Sequence, residues 1–458
     1  MKRHIRFQWV GVCLLAGVLV AASPLAASGE EDSERNSHSD VDELGSLKNL
    51  SNTSTDSSEP RVAVSGNHVY VVWLERLADE GTAARVLFRV SHNGGKSFSG
   101  SRALSPAGGE PNSVSLLAHE SQVYVVWNDA ADDDGLLFRA SQDHGSSFGP
   151  VRELSEPGGG GRPVLAASGN HVYIAWSHAT GDESGEVHFR ASHDKGKSFG
   201  PLQILNEDNE TGPVVIAAQG RNVYLAWSGE FGDDLPSVRF RRSTNKGDTF
   251  EPIQRLSLAR SQSSHPRLAV RNDDVFVTWS ECEFPDPNQC EILLLRSTNE
   301  GATFRPPVNL SENPGLSLAP EIAVEHDHVY VTWMDKTPGN GDVFFRKSDD
   351  RGRSFEPVLN LSNNPEESIE PLISAEDDFV RVVWQDLTVP GTFESDIRYR
   401  ASDDEGDSFA PTFELSDNPG TSRAPQLATC QDGEQVHFVW QDEELGQLEI
   451  FYRRGESD

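Results

Sequence analysis

The chain is poor in sulfur, in positive charge and in long apolar runs, and each shortage narrows what it can be. Four cysteines and two methionines are spread over 458 residues, and no Cys/His set has zinc-ligand spacing. Lys and Arg number 39 against 72 Asp and Glu, a net charge of −33. Such a surface repels nucleic acid and anionic lipid and favours cations and solubility. Apart from Trp9 to Ala22, no stretch is apolar enough to cross a membrane. No long segment has a helical apolar period, and no phosphate loop or nucleophile elbow occurs. The fourteen histidines show no metal-binding spacing along the chain.

The one long apolar run has a local explanation. Lys2, Arg3 and Arg6 precede it and small residues follow it, with Ala21-x-Ser23 and Ala26-x-Ser28 as cleavage sites. Residues 1–28 thus read as a secretory signal peptide, the alternative being an uncleaved anchor. Its removal takes away three positive charges and leaves the mature chain near −36, with no membrane span. Residues 29–45, rich in Glu, Asp and Ser, read as a flexible acidic leader. In an oxidising compartment Cys282 and Cys290, flanking a Pro-rich loop, are expected to form a local disulfide. Cys430, in an apolar strand, is expected to be a buried thiol. These features place the protein outside the cell, on its surface or in a periplasm, and a monomer is expected.

From residue 46 onward one phrase recurs. It is clearest as Val69-Tyr70-Val71-Val72-Trp73, and its relatives end at Trp127, Trp176, Trp227, Trp279, Trp333, Trp384 and Trp440, spaced by 49 to 56 residues. Each unit holds four short segments. Segment A is apolar and often follows Pro, B is the tryptophan phrase, C resembles Val86-Leu87-Phe88-Arg89, and D ends in Leu-Ser. β-Branched and aromatic runs bounded by Gly, Pro, Asn and Asp are strands joined by hairpins. Four antiparallel strands per roughly fifty residues make one propeller blade. The fold expected for 46–458 is therefore all-β, a single eight-bladed propeller with a tryptophan between each pair of blades. Segments A, B and C occur eight times, but D follows C only seven times. The missing D stands at the start, as Leu47-Lys48-Asn49-Leu50-Ser51, so this N-terminal strand should complete the last blade.

Between C and D an octapeptide of pattern Ser-x-Asp/Asn-x-Gly-x-Ser/Thr-Phe occurs seven times, beginning at Ser91, Ser141, Ser192, Ser243, Ser297, Ser348 and Ser402. Its Asx side chain (Asn93, Asp143, Asp194, Asn245, Asn299, Asp350, Asp404) can accept from backbone N–H groups just ahead. The glycine permits positive φ, and the closing Phe is expected to bury beneath the hairpin. Repetition around a ring makes these residues structural. The octapeptide resembles the Asp box, or BNR repeat, of the sialidase-type propeller superfamily over about residues 46–454. With Asn-Leu-Ser-x-Asn-Pro at 309–314 and 360–365, the chain looks most like secreted prokaryotic Asp-box repeat proteins.

That resemblance implies a propeller and raises the question of exo-α-sialidase activity. Sialidases grip a carboxylate with arginines opened by an Arg-Ile-Pro motif, attack with a glutamate-activated tyrosine and protonate with an aspartate. No Arg-Ile-Pro occurs here. Of seven tyrosines, Tyr70, Tyr124, Tyr173, Tyr224 and Tyr330 share one place in segment B, and Tyr399 and Tyr452 stand where other units have Phe in segment C. The repeat accounts for all of them. The regular repeat favours a non-catalytic module binding a glycan, a cation or a cell-surface partner; the alternative is a sialidase-like hydrolase or a polysaccharide lyase.

Any such site is expected on the face of the B–C and D–A loops. Two residues past the segment-B tryptophan stand Glu75, Asp129, Glu281, Asp335, Asp386 and Asp442, with His178 and Gly229 in the third and fourth units. A second acid often opens segment C: Glu186, Glu291, Asp342, Asp396 and Glu449. Both sets are expected to decorate the hairpin. No cofactor is required, but such a ring of carboxylates suits Ca²⁺. Arg61 and Arg267 share a position at the start of segment A, Arg162 is near that level, and inward arginines suit a carboxylate or sulfate. The arginines two residues before the box (Arg89, Arg139, Arg190, Arg241, Arg346, Arg400) and Arg453 are expected to pair with a neighbouring blade's acid.

Overall fold

The computed structural model describes residues 42–77, 83–131, 135–156, 159–181, 184–206, 212–229, 235–257, 261–283, 289–387, 394–416, 420–430, 433–443 and 446–457. The expected signal segment and the expected leader up to residue 41 lie outside them. The described residues form eight antiparallel sheets arranged as one β-propeller. In blade one strand A is Ser57–Ser65, B is His68–Arg76, C is Ala84–Ser91 and D is Arg102–Ala103, paired in that order. The A strands of neighbouring blades touch all the way round, blade one meeting blade eight, so they form the wall of the central channel.

Blade eight has only three strands from the C-terminal part, Ser422–Thr429, Gln435–Asp442 and Glu449–Glu456. Lys48–Asn49 pairs with the last of these, opposite Tyr452 and Phe451, as the stray D segment implied. The chain joins the fold slightly earlier than residue 46. Glu43–Leu44 also pairs with this strand, and Asp42 is engaged as well, so the tail of the expected leader belongs to the sheet.

The Leu-Ser ending of segment D has a physical reason. The D strand contributes only two ladder residues; the serine hydroxyl then extends the pairing by accepting from a strand-C N–H. Val86 N donates to Ser105 Oγ at 3.0 Å, Leu136 N to Ser155 Oγ at 2.8 Å and Ile397 N to Ser416 Oγ at 3.1 Å. In blade eight Ile450 N donates to Ser51 Oγ at 2.8 Å, across 399 residues of sequence.

The tryptophans fill the spaces between blades. Trp127 packs among Val72, Phe88 and Leu104 of the preceding blade, and Trp73 among Leu50, Val439 and Ile450 of blade eight. The box phenylalanines also reach across this gap instead of burying beneath their own hairpins. Phe148 meets Phe88 edge-on at 4.9 Å and Phe199 meets Phe138 at 5.0 Å. The repeated arginines differ from expectation too. Most reach backbone carbonyls of the preceding blade's D segment: Arg139 donates to Leu104 O at 3.1 Å, Arg241 to Leu205 O at 2.7 Å and Arg453 to Leu415 O at 3.0 Å, and Arg346 also pairs with an acid of that blade, Glu312 at 3.4 Å.

The octapeptide turns form as their residue types require. In blade two Ser147 N donates to Asp143 Oδ1 at 2.8 Å and Gly145 N to Ser141 Oγ at 2.9 Å. The Asp143, Asp194 and Asp350 carboxyls sit at about 2, because bonds from the box serines outweigh slight desolvation. Such carboxylates are permanent anions in a turn, not proton donors. Cys282 and Cys290 face each other on strands B and C of blade five and are disulfide-bonded. Cys430 is buried as a thiol.

Candidate binding site at the channel

The acids two residues past each tryptophan do not decorate the loop face. Strand B runs on beyond its tryptophan, so the acid lies within the strand and shares the indole's side of the sheet. Asp129, Glu281, Asp335, Asp386 and Asp442 are buried and Glu75 is half-buried. The indole and a serine from strand A bind the carboxylate. Trp279 Nε1 donates to Glu281 at 2.6 Å, Trp333 Nε1 to Asp335 at 3.1 Å and Trp384 Nε1 to Asp386 at 2.8 Å. Ser263, Ser317 and Ser368 hydroxyls donate to the same three acids, at 2.9, 2.7 and 2.5 Å. Glu75 receives Trp73 and Ser57, and Asp442 receives Ser422. Asp129 accepts instead from the backbone N–H of Glu110 at 2.7 Å.

The unit with His178 solves the same problem differently. Trp176 Nε1 donates to Gly159 O at 2.8 Å. This brings the glycine run close to strand B, where a Cβ on Gly161 would lie 1.9 Å from Ser177 O. The second acid set is likewise engaged, Asp342 by Ser362 at 2.9 Å and Asn360 at 2.8 Å, and Glu449 by Asn49.

Two of the three arginines are already paired. Arg267 Nε donates to Glu321 of blade six at 2.6 Å with both side chains nearly buried. Arg61 lies 3.6 Å from Glu59 in its own strand. Arg162 is exposed.

Sequence reasoning passed over the residue just before the segment-A proline. In five blades it forms a bulge in the channel wall with positive φ: Glu59, His265, Ala319, Glu370 and Ala424, at 51° to 54°. A non-glycine residue there is uncommon, and the bulge breaks the A–B register at this level in each of the five. Alanines occupy this position in the blades on either side of Glu370. Among the described residues Glu370 has no hydrogen bond or ion pair. Burial pushes its carboxyl up to about 7. Burial, with Arg267 nearby, pushes the His265 imidazole down to about 4, leaving it neutral near pH 7. Glu370, His265 and the Arg267–Glu321 pair are thus polar groups of the channel wall that the repeat does not explain. One carboxylate–imidazole cluster with metal-ligand proximity occurs among the described residues, Glu325, His326 and Asp377, at the opposite end of blades six and seven, beside the octapeptide turns.

Together the blades define an eight-bladed all-β propeller. No family of known proteins matches the sequence, and no curated protein does. Solved structures do match. An ulvan lyase bound to -[GlcA(1-4)Rha3S]- is 10% identical, with a TM-score of 0.51 over 76% of this chain and 94% of that one. The polysaccharide lyase Uly1 is 9% identical, with a TM-score of 0.50 over 75% and 90%. A mutant Trypanosoma rangeli sialidase displaying trans-sialidase activity is 10% identical, with a TM-score of 0.40 over 67% and 55%. At such identities the likeness to the two lyases is one of fold.

Proposed function

We propose that this protein is an extracellular Asp-box propeller that binds a glycan at the D–A end of its channel without turning it over. One observation carries the reading: Glu370, a half-buried carboxylate without a partner among the described residues, stands on the channel wall between two alanines. A desolvated acceptor of this kind is satisfied by a ligand hydroxyl. The tyrosines argue against sialidase chemistry. Tyr70, Tyr124, Tyr173, Tyr224, Tyr330, Tyr399 and Tyr452 are all buried, and burial raises every phenol well above its usual range. None is placed to act as a nucleophile.

The signal-like N-terminus, the disulfide and the acidic surface support a secreted location. No required cofactor is proposed; the acids that suggested Ca²⁺ already accept from indole and serine donors, so an unchanged melting temperature at millimolar Ca²⁺ is expected. A polysaccharide lyase is the second reading, favoured by the Glu370 carboxyl near 7, a pKa suited to a general base. A glycan array probed with wild type and Glu370→Gln tests the proposal. Binding is expected for wild type and should be lost in the variant. Parallel assays follow a fluorogenic sialoside and the ultraviolet absorbance of unsaturated uronate. Turnover in either would replace binding with catalysis.

A further inference from the structure

On the opposite face the A–B turn of each of the first seven blades lies beside its octapeptide turn. Backbone bonds join them, as from Lys195 N to Asn170 O at 2.9 Å in blade three. The residue opening strand B therefore meets the second residue of the box. In blade three these are His171 and His193. Their Nδ1 atoms are 2.9 Å apart, and the rings meet edge-on at 5.0 Å. The Nε2 of His193 lies 3.0 Å from Asp248 Oδ1 in the box of blade four.

The tautomer follows from that last contact. An ionised carboxylate only accepts, so His193 carries its proton on Nε2 and presents a bare Nδ1 lone pair to His171. Two imidazole nitrogens this close share either a proton or a cation. Metal-bound imidazole characteristically donates its other N–H to a carboxylate, as His193 does to Asp248. The separation is also that of two cis ligands. Metal–nitrogen bonds of about 2.0–2.1 Å at a right angle put the nitrogens about 2.9 Å apart.

We propose that His171 and His193 chelate a divalent transition cation at the surface, with Asp248 orienting His193. The tetragonal edge and the usual order of affinities make Cu²⁺ the tightest ligand, followed by Ni²⁺ and Zn²⁺. Water completes the shell, since the His193 side chain is 44% exposed. The protein's net charge of −33 favours capture of the cation.

Blade one supplies an internal comparison. His68 and His92 occupy the same two positions and meet edge-on at 5.1 Å, but Ser146 stands where blade three's pair has Asp248. His144 stacks on His68 at 4.1 Å instead. The blade-one pair thus has the rings without the orienting carboxylate.

The test is competition of the purified full chain against a chromophoric chelator for Cu²⁺. One tight equivalent is expected for wild type, lost in both His171→Ala and His193→Ala and retained in His68→Ala/His92→Ala. Asp248→Asn should keep the site and weaken it about 10–100-fold. Electron paramagnetic resonance should show two imidazole nitrogens on the copper. The substitutions fall in surface turns or at the first residue of a strand, and unchanged circular dichroism confirms the fold. The proposal fails if wild type binds no tight Cu²⁺, if both single-histidine variants bind like wild type, or if Asp248→Asn has wild-type affinity.

Discussion

Asp42 and Arg381 form an ion pair at 2.7 Å with neither side chain exposed. Arg381 sits where five other blades have a tyrosine, opposite Ser374 of strand A, and Tyr399 beside it replaces the usual strand-C phenylalanine. In those five blades the pair is aromatic, as in Tyr124 stacked on Phe138 at 6.2 Å. Blade seven exchanges it for Arg381 and Tyr399, both bonded to Asp42, and Ser457 joins them. Blade eight exchanges it for His437 and Tyr452, with Nδ1 and Oη 2.8 Å apart. The buried guanidinium of blade seven is thus met by Asp42 of the returning N-terminal segment and by Ser457, whereas the imidazole and phenol of blade eight meet each other.

Asp42→Ala should therefore destabilise the whole ring. It leaves a buried guanidinium without its counter-ion, a loss of about 3–5 kcal/mol. Deleting residues 42–51 should cost more, since it also removes two strands and the Ser51 hydroxyl bond. Urea unfolding measures both. A deletion that unfolds like wild type would show that the ring closes without this segment.

The same pair sets part of the acid limit. Burial alone would raise the Asp42 carboxyl, but bonds and charge from Arg381, with Ser457 and Tyr399, outweigh it and hold the group below its ordinary value. A depressed carboxyl contributes stability above its unfolded pKa and loses it as pH falls through the folded value. Wild type should weaken steeply as pH drops below the usual carboxylate range. Asp42→Asn should weaken less steeply over that window, as pH-dependent melting would show.

Glu370 has the opposite sign. Its folded carboxyl is near 7, above the ordinary 4.5, so it costs stability as pH rises from 4.5 through 7. Glu370→Gln should stabilise the protein by about 1–3 kcal/mol at pH 8 and leave it unchanged at pH 4. Melting curves at the two pH values would reveal it. The same variant should lose glycan binding, so stability and binding move in opposite directions.

Asp335 accepts from Trp333 Nε1, Ser317 Oγ and Asn313 Nδ2. Asp335→Ala strands three donors in a buried site and should cost about 2–4 kcal/mol. Urea denaturation of the variant gives the value; a loss below 1 kcal/mol would mean that water replaces the carboxylate.

At Gly145 φ is +76°, and an added Cβ would lie 2.8 Å from Phe88 Cζ of the preceding blade. Gly145→Ala thus combines a left-handed backbone with a clash at a blade interface, and should cost about 2–4 kcal/mol. Calorimetry would show the melting temperature falling well below that of Gly66→Ala, where φ is +53° but the space is open.

Blade number and closure were legible because each rests on a repeat that can be counted. The role of the acids was not. Glu281 and Asp335 look like hairpin residues until the strand is known to reach them; then the alternation of side chains puts each beside its tryptophan. That inference was within reach of the two-residue spacing. The partners of Arg139 and Arg241 were not, because a backbone carbonyl has no residue letter. His171 and His193 stand 22 residues apart, and only the adjacency of two turns unites them. Glu370 was hidden for another reason: a residue before proline is expected to be extended, and here it is left-handed.

The bond from Ile450 to Ser51 spans 399 residues, so almost the whole chain must exist before the ring can shut. Until then blade eight presents an unpaired edge and blade one an uncovered flank, the surfaces through which β-proteins aggregate. A product truncated before Glu449 never hides them. Closure therefore acts as a completeness check, leaving unfinished copies sticky and conspicuous to proteases while finished ones present no open edge at the join.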